Sequence, residues 1–266
     1  IESKNYSSYG DDFWVCYNDA ALKVYTSEPG KQGGIAAGAP EVNKKIYLQP
    51  LLRKFLRKEL NINSKERVIT YVTALERNNM MTIPCQNDWE YYNVTKTIVY
   101  DVLRTLPDPC LVKLYPAKRY LDPDPLEQST NIPTNVKIIK NIDFGLIRAV
   151  PDLIILNFSQ STLGWVWSTR VPVIFIEFPY EPIVYGLSKS FTQSIFYIDG
   201  SQPSWAEELK KLLQLPHSEL MRQWKDKEPG RKKLEETHIF GPRGHSGKRA
   251  AEYILETSRE WYHLRI

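Results

Sequence analysis

CLVKLYPAKRY (110–120), VKIIKNIDF (136–144), PDLIILNFSQST (151–162) and STRVPVIFIEFPY (168–180) follow one another through the middle of the chain. Each is a short run of Val, Ile, Leu or Phe that ends in polar or turn residues. Strands buried on both faces of a parallel sheet read in this way. RVITYVTAL (67–75) precedes them and FYIDG (196–200) follows. Between the strands lie helical stretches: 88–106, a short one through 146–150, STLGWVWST (161–169) and LSKSFTQSIF (187–196). Strands alternating with helices specify an α/β fold with a doubly wound parallel sheet and right-handed crossovers.

The flanks read differently. Residues 1–50 are irregular and rich in Gly, Ser, Asn and Tyr, with one strand candidate, ALKVYTS (21–27), leading into EPGKQGGIAAGAP (28–40). Four glycines in that run fit a turn where backbone must come close to something. Lys31 suggests a phosphate loop, but the spacing matches neither phosphate-binding glycine pattern, so a linker is the better reading. LQPLLRKFLRKEL (48–60) has apolar residues at 48, 51, 52, 55, 56 and 60, a helical period expected to pack across the start of the next domain. Beyond Ser204 the chain is helical: WAEELKKLLQL (205–215) has Glu207 placed for a capping box, and SGKRAAEYILETSREW (246–261) is a final amphipathic helix.

With 266 residues, 42% hydrophobic and 25% charged, the chain can bury one large domain or two small ones. The net charge of +4 is a mild basic bias, and no nucleic-acid partner is expected from it. Cys16, Cys85 and Cys110 are odd in number and lack metal or redox spacing, so they read as reduced thiols of a cytosolic protein. Asn157 begins an N-x-S triplet but closes an apolar strand, where a glycan has no room. No apolar run approaches the ~20 residues of a membrane helix, and no signal pattern opens the chain. It begins with Ile1 in a polar segment, which reads as a processed chain or a piece of something longer.

Open α/β sheets bind ligands beyond the carboxyl ends of their strands, so the candidate site residues are the polar ones found there. Lys113 and Tyr115 close one strand. A lysine in an apolar strand must reach water or an anion, or snorkel to the edge. Ser159, Ser161 and Thr162 lie where a strand gives way to a helix, and hydroxyls beside free helical N–H groups seat phosphate or simply cap the helix. Glu177, at the end of VPVIFIE (171–177), suits sugar hydroxyls or a salt bridge equally. Asp122-Pro123-Asp124 has metal-binding spacing, yet its prolines mark a surface turn. GPRGHSGKRA (241–250) departs from a nucleotide loop, and His217 and His245 read as cap or surface histidines.

Taken together, residues 67–251 resemble the carboxy-terminal, donor-binding lobe of a GT-B glycosyltransferase, nearest to bacterial enzymes of lipopolysaccharide and surface-carbohydrate synthesis that use CMP-sugars. Those enzymes grip the nucleotide phosphate with a K-x-His-Pro strand end and a Ser-Ser or Ser-Thr pair two strands later. Here the elements are Lys113-Leu114-Tyr115-Pro116 and Ser161-Thr162. Tyr115 replaces the histidine, which keeps a hydrogen-bond donor and leaves the donor nucleotide open. The resemblance implies a Rossmann-like donor domain over 51–266 with helices at its end, preceded over 1–50 by the tail of an acceptor lobe and a linker. It implies transfer of a sugar from a nucleotide-sugar to a surface-glycan or lipid-linked acceptor, without cofactor or metal, in the cytoplasm or at the inner membrane's face. Leaving-group charge would fall to Lys113, Tyr115 and the Ser161–Thr162 turn. The general base would come from the acceptor side, where Glu28 is the candidate. The alternative is a non-catalytic nucleotide- or glycan-binding module.

Overall fold

The computed structural model describes residues 13–27, 33–38, 49–73, 88–115, 124–158, 161–167, 169–180, 183, 187–242 and 244–263. They form two compact units, one of residues 1–44 with 229–266 and one of residues 45–228. The helices after residue 228 therefore cluster with the amino-terminal residues.

In the first unit β1 (Phe13–Cys16) pairs in parallel with β2 (Gly33–Ala36). Between them runs α1 (Asp19–Thr26). This corrects the strand expected at 21–27. Asn18 supplies the reason: its side chain accepts the Ala21 amide at 2.8 Å, an N-cap that commits the following Ala-Ala-Leu to helix. The Asn18 amide donates to His238 O at 2.6 Å.

The glycine-rich run does bring backbone close to something. Gly38 has φ +88, and a Cβ there would meet Pro242 O at 2.1 Å. Arg249 Nη2 clamps the same place, donating to Ala37 O and to Pro242 O, both at 2.8 Å.

The second unit opens with α2 (Gln49–Glu59) and continues through β3 (Ile69–Val72) and α3 (Asp88–Lys96), which runs on as a π-helical turn (97–102) and a 3₁₀ turn (103–105). Then come β4 (Cys110–Lys113), α4 (Pro125–Gln128), β5 (Val136–Ile139), α5 (Phe144–Ile147), β6 (Leu153–Leu156) and α6 (Ser161–Trp167). It closes with β7 (Val173–Glu177), α7 (Ser188–Ser194), β8 (Phe196–Asp199), α8 (Trp205–Leu213) and α9 (His217–Asp226). Beyond it lie α10 (Glu228–Leu234) and α11 (Ser246–His263). Glu207 makes no capping box at α8: the Ser204 hydroxyl instead donates to Glu208 at 2.7 Å.

All six strands of this unit are parallel, in the order β5-β4-β3-β6-β7-β8. Numbered within the unit this is 3-2-1-4-5-6, the doubly wound order. The expected α/β fold is thus present. β3, β4 and β6 are buried at every position, and Phe191 of α7 packs edge-on against Trp167 and beside Phe175.

The helix expected over 48–60 forms and packs across the start of this unit, with one side chain placed unexpectedly. Leu56 of α2 joins Ile62, Val68, Leu111, Ile139, Ile147 and Val150 in a core cluster, but Leu51 and Phe55 are 69% and 59% exposed. Arg57 takes the inner position, 3% exposed. Its guanidinium donates to Glu66 O at 2.9 Å, Val150 O at 3.1 Å and the Asp152 carboxylate at 2.5 Å, while Arg53 pairs with the other oxygen of Asp152. A fully hydrogen-bonded arginine is tolerated inside because every donor has a partner.

Candidate functional site

The strand order reverses between β3 and β6, so their carboxyl ends flank the crevice where a sheet of this order takes a ligand. At β6 the chain passes through Asn157 and Phe158 and enters α6 at Ser161. Ser161 and Thr162 are therefore the first residues of that helix, with Thr162 half-buried. Arg148 fixes where the helix lies: its guanidinium sits over the Trp165 ring at 4.5 Å from the centroid and donates to Trp165 O at 3.3 Å. Ser159, Glu28 and Asp122 lie outside the described residues.

Lys113 closes β4, the strand beside β3. Its ammonium is turned onto the edge of the sheet, donating to Leu114 O at 2.6 Å and Lys140 O at 2.9 Å. Two of three N–H donors are thereby used. Burial pushes the Lys113 ammonium below the usual lysine range, and the nearby Asp143 carboxylate opposes that shift. Asp143 acts likewise on Arg148, which burial also lowers. This carboxylate caps α5, accepting the Gly145 amide at 2.7 Å, and its charge acts on both buried cations. Tyr115, two residues past Lys113, is 43% exposed.

Glu177 is engaged from within. One oxygen accepts the Ile183 amide at 2.8 Å and the other accepts the Tyr197 hydroxyl. Burial and that carboxylate together raise the Tyr197 phenol. Asp124 caps α4 by accepting the Leu126 amide at 2.8 Å, as expected of a turn, and burial raises its carboxyl. His217 and His245 are both exposed.

Sequence reasoning passed over a polar cluster beneath the switch point. The hydroxyl of Tyr71, fully buried on β3, lies 3.2 Å from Thr95 Oγ1 and donates to Asn157 Oδ1 at 3.3 Å. Tyr91 shares hydrogen bonds with Thr73 and Thr95, and burial raises both phenols well above their ordinary range. Thr73 ties the cluster to β4 by donating to Lys113 O, from its amide at 3.0 Å and its hydroxyl at 3.2 Å. Asn157 Nδ2 has no partner among the described residues. The available signal was Tyr71 and Thr73 within the apolar run 67–75, polar groups whose burial internal hydrogen bonds offset.

No protein-family model and no curated protein matches this chain. Solved structures do. A variant of the wall teichoic acid polymerase TagF, soaked with CDPG, aligns over 94% of this chain and 58% of its own at 15% identity, TM-score 0.54. WaaG, a glycosyltransferase involved in lipopolysaccharide biosynthesis, aligns over 89% of this chain and 61% of its own at 14% identity, TM-score 0.52. The chain thus spans less than two thirds of either. These likenesses show the fold, the Rossmann-like α/β fold of GT-B glycosyltransferases.

Proposed function

We propose that this chain contributes the donor-binding domain of a GT-B glycosyltransferase, moving a sugar from a nucleotide-sugar to a surface-glycan or lipid-linked acceptor without a bound metal. The observation that carries the reading is the β6–α6 junction. A helix whose first residues are Ser161 and Thr162 begins at the reversal of strand order, with Lys113 at the end of a strand on the other side of β3. Amides and hydroxyls at such a junction suit a diphosphate or monophosphate.

The residues divide the work as follows. Backbone amides and hydroxyls at Ser161 and Thr162 hold the phosphate, with Ser159 beside them. The third N–H of Lys113 and the Tyr115 hydroxyl meet the charge that grows on the leaving phosphate, in the manner of preorganised donors. Glu177, whose oxygens accept Ile183 and Tyr197, shapes the far wall rather than reaching a ribose directly. The residues before about 50 belong to the acceptor side, with Glu28 as the candidate base. The protein works on the cytoplasmic face of the inner membrane, where a lipid-linked acceptor is met.

A thermal-shift screen with CMP, UDP, GDP and dTDP tests this. One nucleotide raises the melting temperature with and without EDTA, because a ligand bound only by the folded state stabilises it. Binding without sugar transfer to any acceptor would favour the non-catalytic module. No shift with any nucleotide would overturn the assignment.

A further inference from the structure

We propose that the cavity beside Arg104, at the amino-terminal rim of the six-stranded sheet, is a second carbohydrate site that takes a sugar unit carrying one acidic group, a carboxylate or a phosphate. It lies apart from the crevice and does not depend on the donor assignment.

Cys110 and Val136, the first residues of β4 and β5, stand opposite each other in the parallel register. The segments that lead into these strands therefore meet at that rim, a strand's length of roughly 13 Å from the carboxyl ends. There they enclose a cavity of about 500 Å³, a size that takes a small ligand. One wall is the π-helical turn 97–102 with the 3₁₀ turn after it, which contribute Tyr100 and Arg104. The other wall is the segment 131–135. The walls are tied to each other in advance. The Tyr100 hydroxyl lies 2.7 Å from Ser129 Oγ, and Asn135 Nδ2 donates to Leu103 O at 2.9 Å and Leu106 O at 3.0 Å. The π-helical turn is a second pointer, because such turns are rare and recur at functional sites.

The chemistry of the lining selects the ligand. Arg104 is exposed and has no hydrogen bond or ion pair among the described residues, and Asp101 of the same turn does not pair with it. No carboxylate lines the cavity, so the guanidinium is its one charge. An unengaged guanidinium meets a carboxylate or phosphate with two parallel N–H bonds. On the other wall Asn131 and Thr134 are exposed, and the Asn135 amide group, its N–H donors spent on carbonyls, keeps an acceptor oxygen. Amides and hydroxyls donate and accept, as the hydroxyls of a sugar do. Tyr100, Ile132 and Pro133 supply the apolar part of the lining. A bare inorganic anion would leave all of these groups unused.

Titration of the full chain by saturation-transfer NMR tests the site, with glucuronate and glucose 6-phosphate as probes and glucose and acetate as controls. At least one probe is expected to bind about ten-fold or more tighter than either control, and the tighter probe identifies the acidic group. Arg104→Gln should weaken that probe by about ten-fold or more and Asn131→Ala by about three-fold, with the melting temperature and any nucleotide-induced shift unchanged. Acetate binding as tightly as the probes would make the cavity a general anion site, and glucose doing so would remove the part of Arg104. Either result overturns the proposal. So does full retention of the probe by Arg104→Gln, or displacement of the probe by CMP or UDP, which would put it in the crevice. No binding of either probe also overturns the proposal and leaves the donor assignment untouched.

Discussion

The Arg57 guanidinium donates to Asp152 Oδ2 at 2.5 Å, joining the helix before the sheet to the residue before β6. The same oxygen accepts the Val68 amide at 2.9 Å, at the head of β3. One carboxylate therefore fixes α2, β3 and β6 together, and β3 and β6 are the strands that flank the crevice.

Asp152→Ala is expected to cost about 3 kcal/mol, because it strands Arg57 in the interior and leaves Arg53 without its anion. Urea denaturation measures this. In a double-mutant cycle with Arg57→Ala the two losses should fall short of additivity by at least about 1 kcal/mol. Additive losses would show that the pair does not couple.

The same carboxylate sets an acid limit. Burial pushes the Asp152 carboxyl up, but the Val68 amide, the Arg53 charge and the hydrogen bonds from Arg53 and Arg57 outweigh burial and hold it below the usual range. A group depressed in the folded state contributes stability that is present above its unfolded pKa, about 4, and lost as pH falls through the folded value. Wild-type stability should therefore decline below about pH 4 more steeply than that of Asp152→Asn, which has no such proton to take up. Equal slopes for the two proteins would remove Asp152 from the acid transition.

Gly38→Ala tests the glycine-rich run. A φ of +88 with backbone oxygen 2.1 Å from the added Cβ leaves no relaxed position for a methyl group. A loss of about 2 kcal/mol or more is expected, read as faster amide exchange in residues 33–38. Gly247, whose Cβ would meet open space, is the control, and Gly247→Ala should be near neutral or slightly stabilising in its helix.

These cases show which features were legible. Strand positions could be read because burial on both faces leaves an unbroken apolar run, as in β4, β6 and β7. The need for close approach at the glycine run was legible too, but its partner, Pro242, lies far along the chain. α2 was legible as a helix packed across the start of the sheet, but its apolar spacing could not show that Arg57 lies inward while Leu51 and Phe55 face outward. The deciding fact is the Arg57–Asp152 pair, and long-range charge pairing has no local pattern. α1 was misread because β-branched and aromatic residues at 24–26 suggest a strand, and the Asn18 cap overrode them. In the site, strand-end residues could be found by position. Asp143 could not, since its role between Lys113 and Arg148 exists only after folding.

Lys113→Met separates binding from structure. The ammonium holds two carbonyls at the sheet's edge, so its loss should lower the melting temperature modestly. Loss of a charged hydrogen bond to phosphate should weaken nucleotide binding by about 1.5–3 kcal/mol, measured by titration calorimetry at a temperature where the variant is folded. A lowered melting temperature with unchanged affinity would leave Lys113 as a clamp of the strand ends alone.

The Ser161–Thr162 junction faces the sharpest test, because a helix-capping hydroxyl and a phosphate-binding hydroxyl occupy the same place. Thr162 is half-buried in the first turn of α6, and Arg148 on Trp165 anchors the middle of that helix independently. Thr162→Val keeps the side-chain volume and removes only the hydroxyl. If the hydroxyl meets phosphate, nucleotide affinity should fall by about 1 kcal/mol or more while the melting temperature of the free protein barely moves. If it only caps α6, stability should fall by a similar amount with affinity unchanged. EDTA supplies the second axis. On the proposed reading Lys113 and the junction's amides offset the phosphate charge without a metal ion, and Asp124 is already committed to capping α4. Nucleotide binding should therefore survive chelation. Binding that chelation abolishes would transfer the phosphate's charge partner from these residues to a metal and bring Asp122 back into consideration.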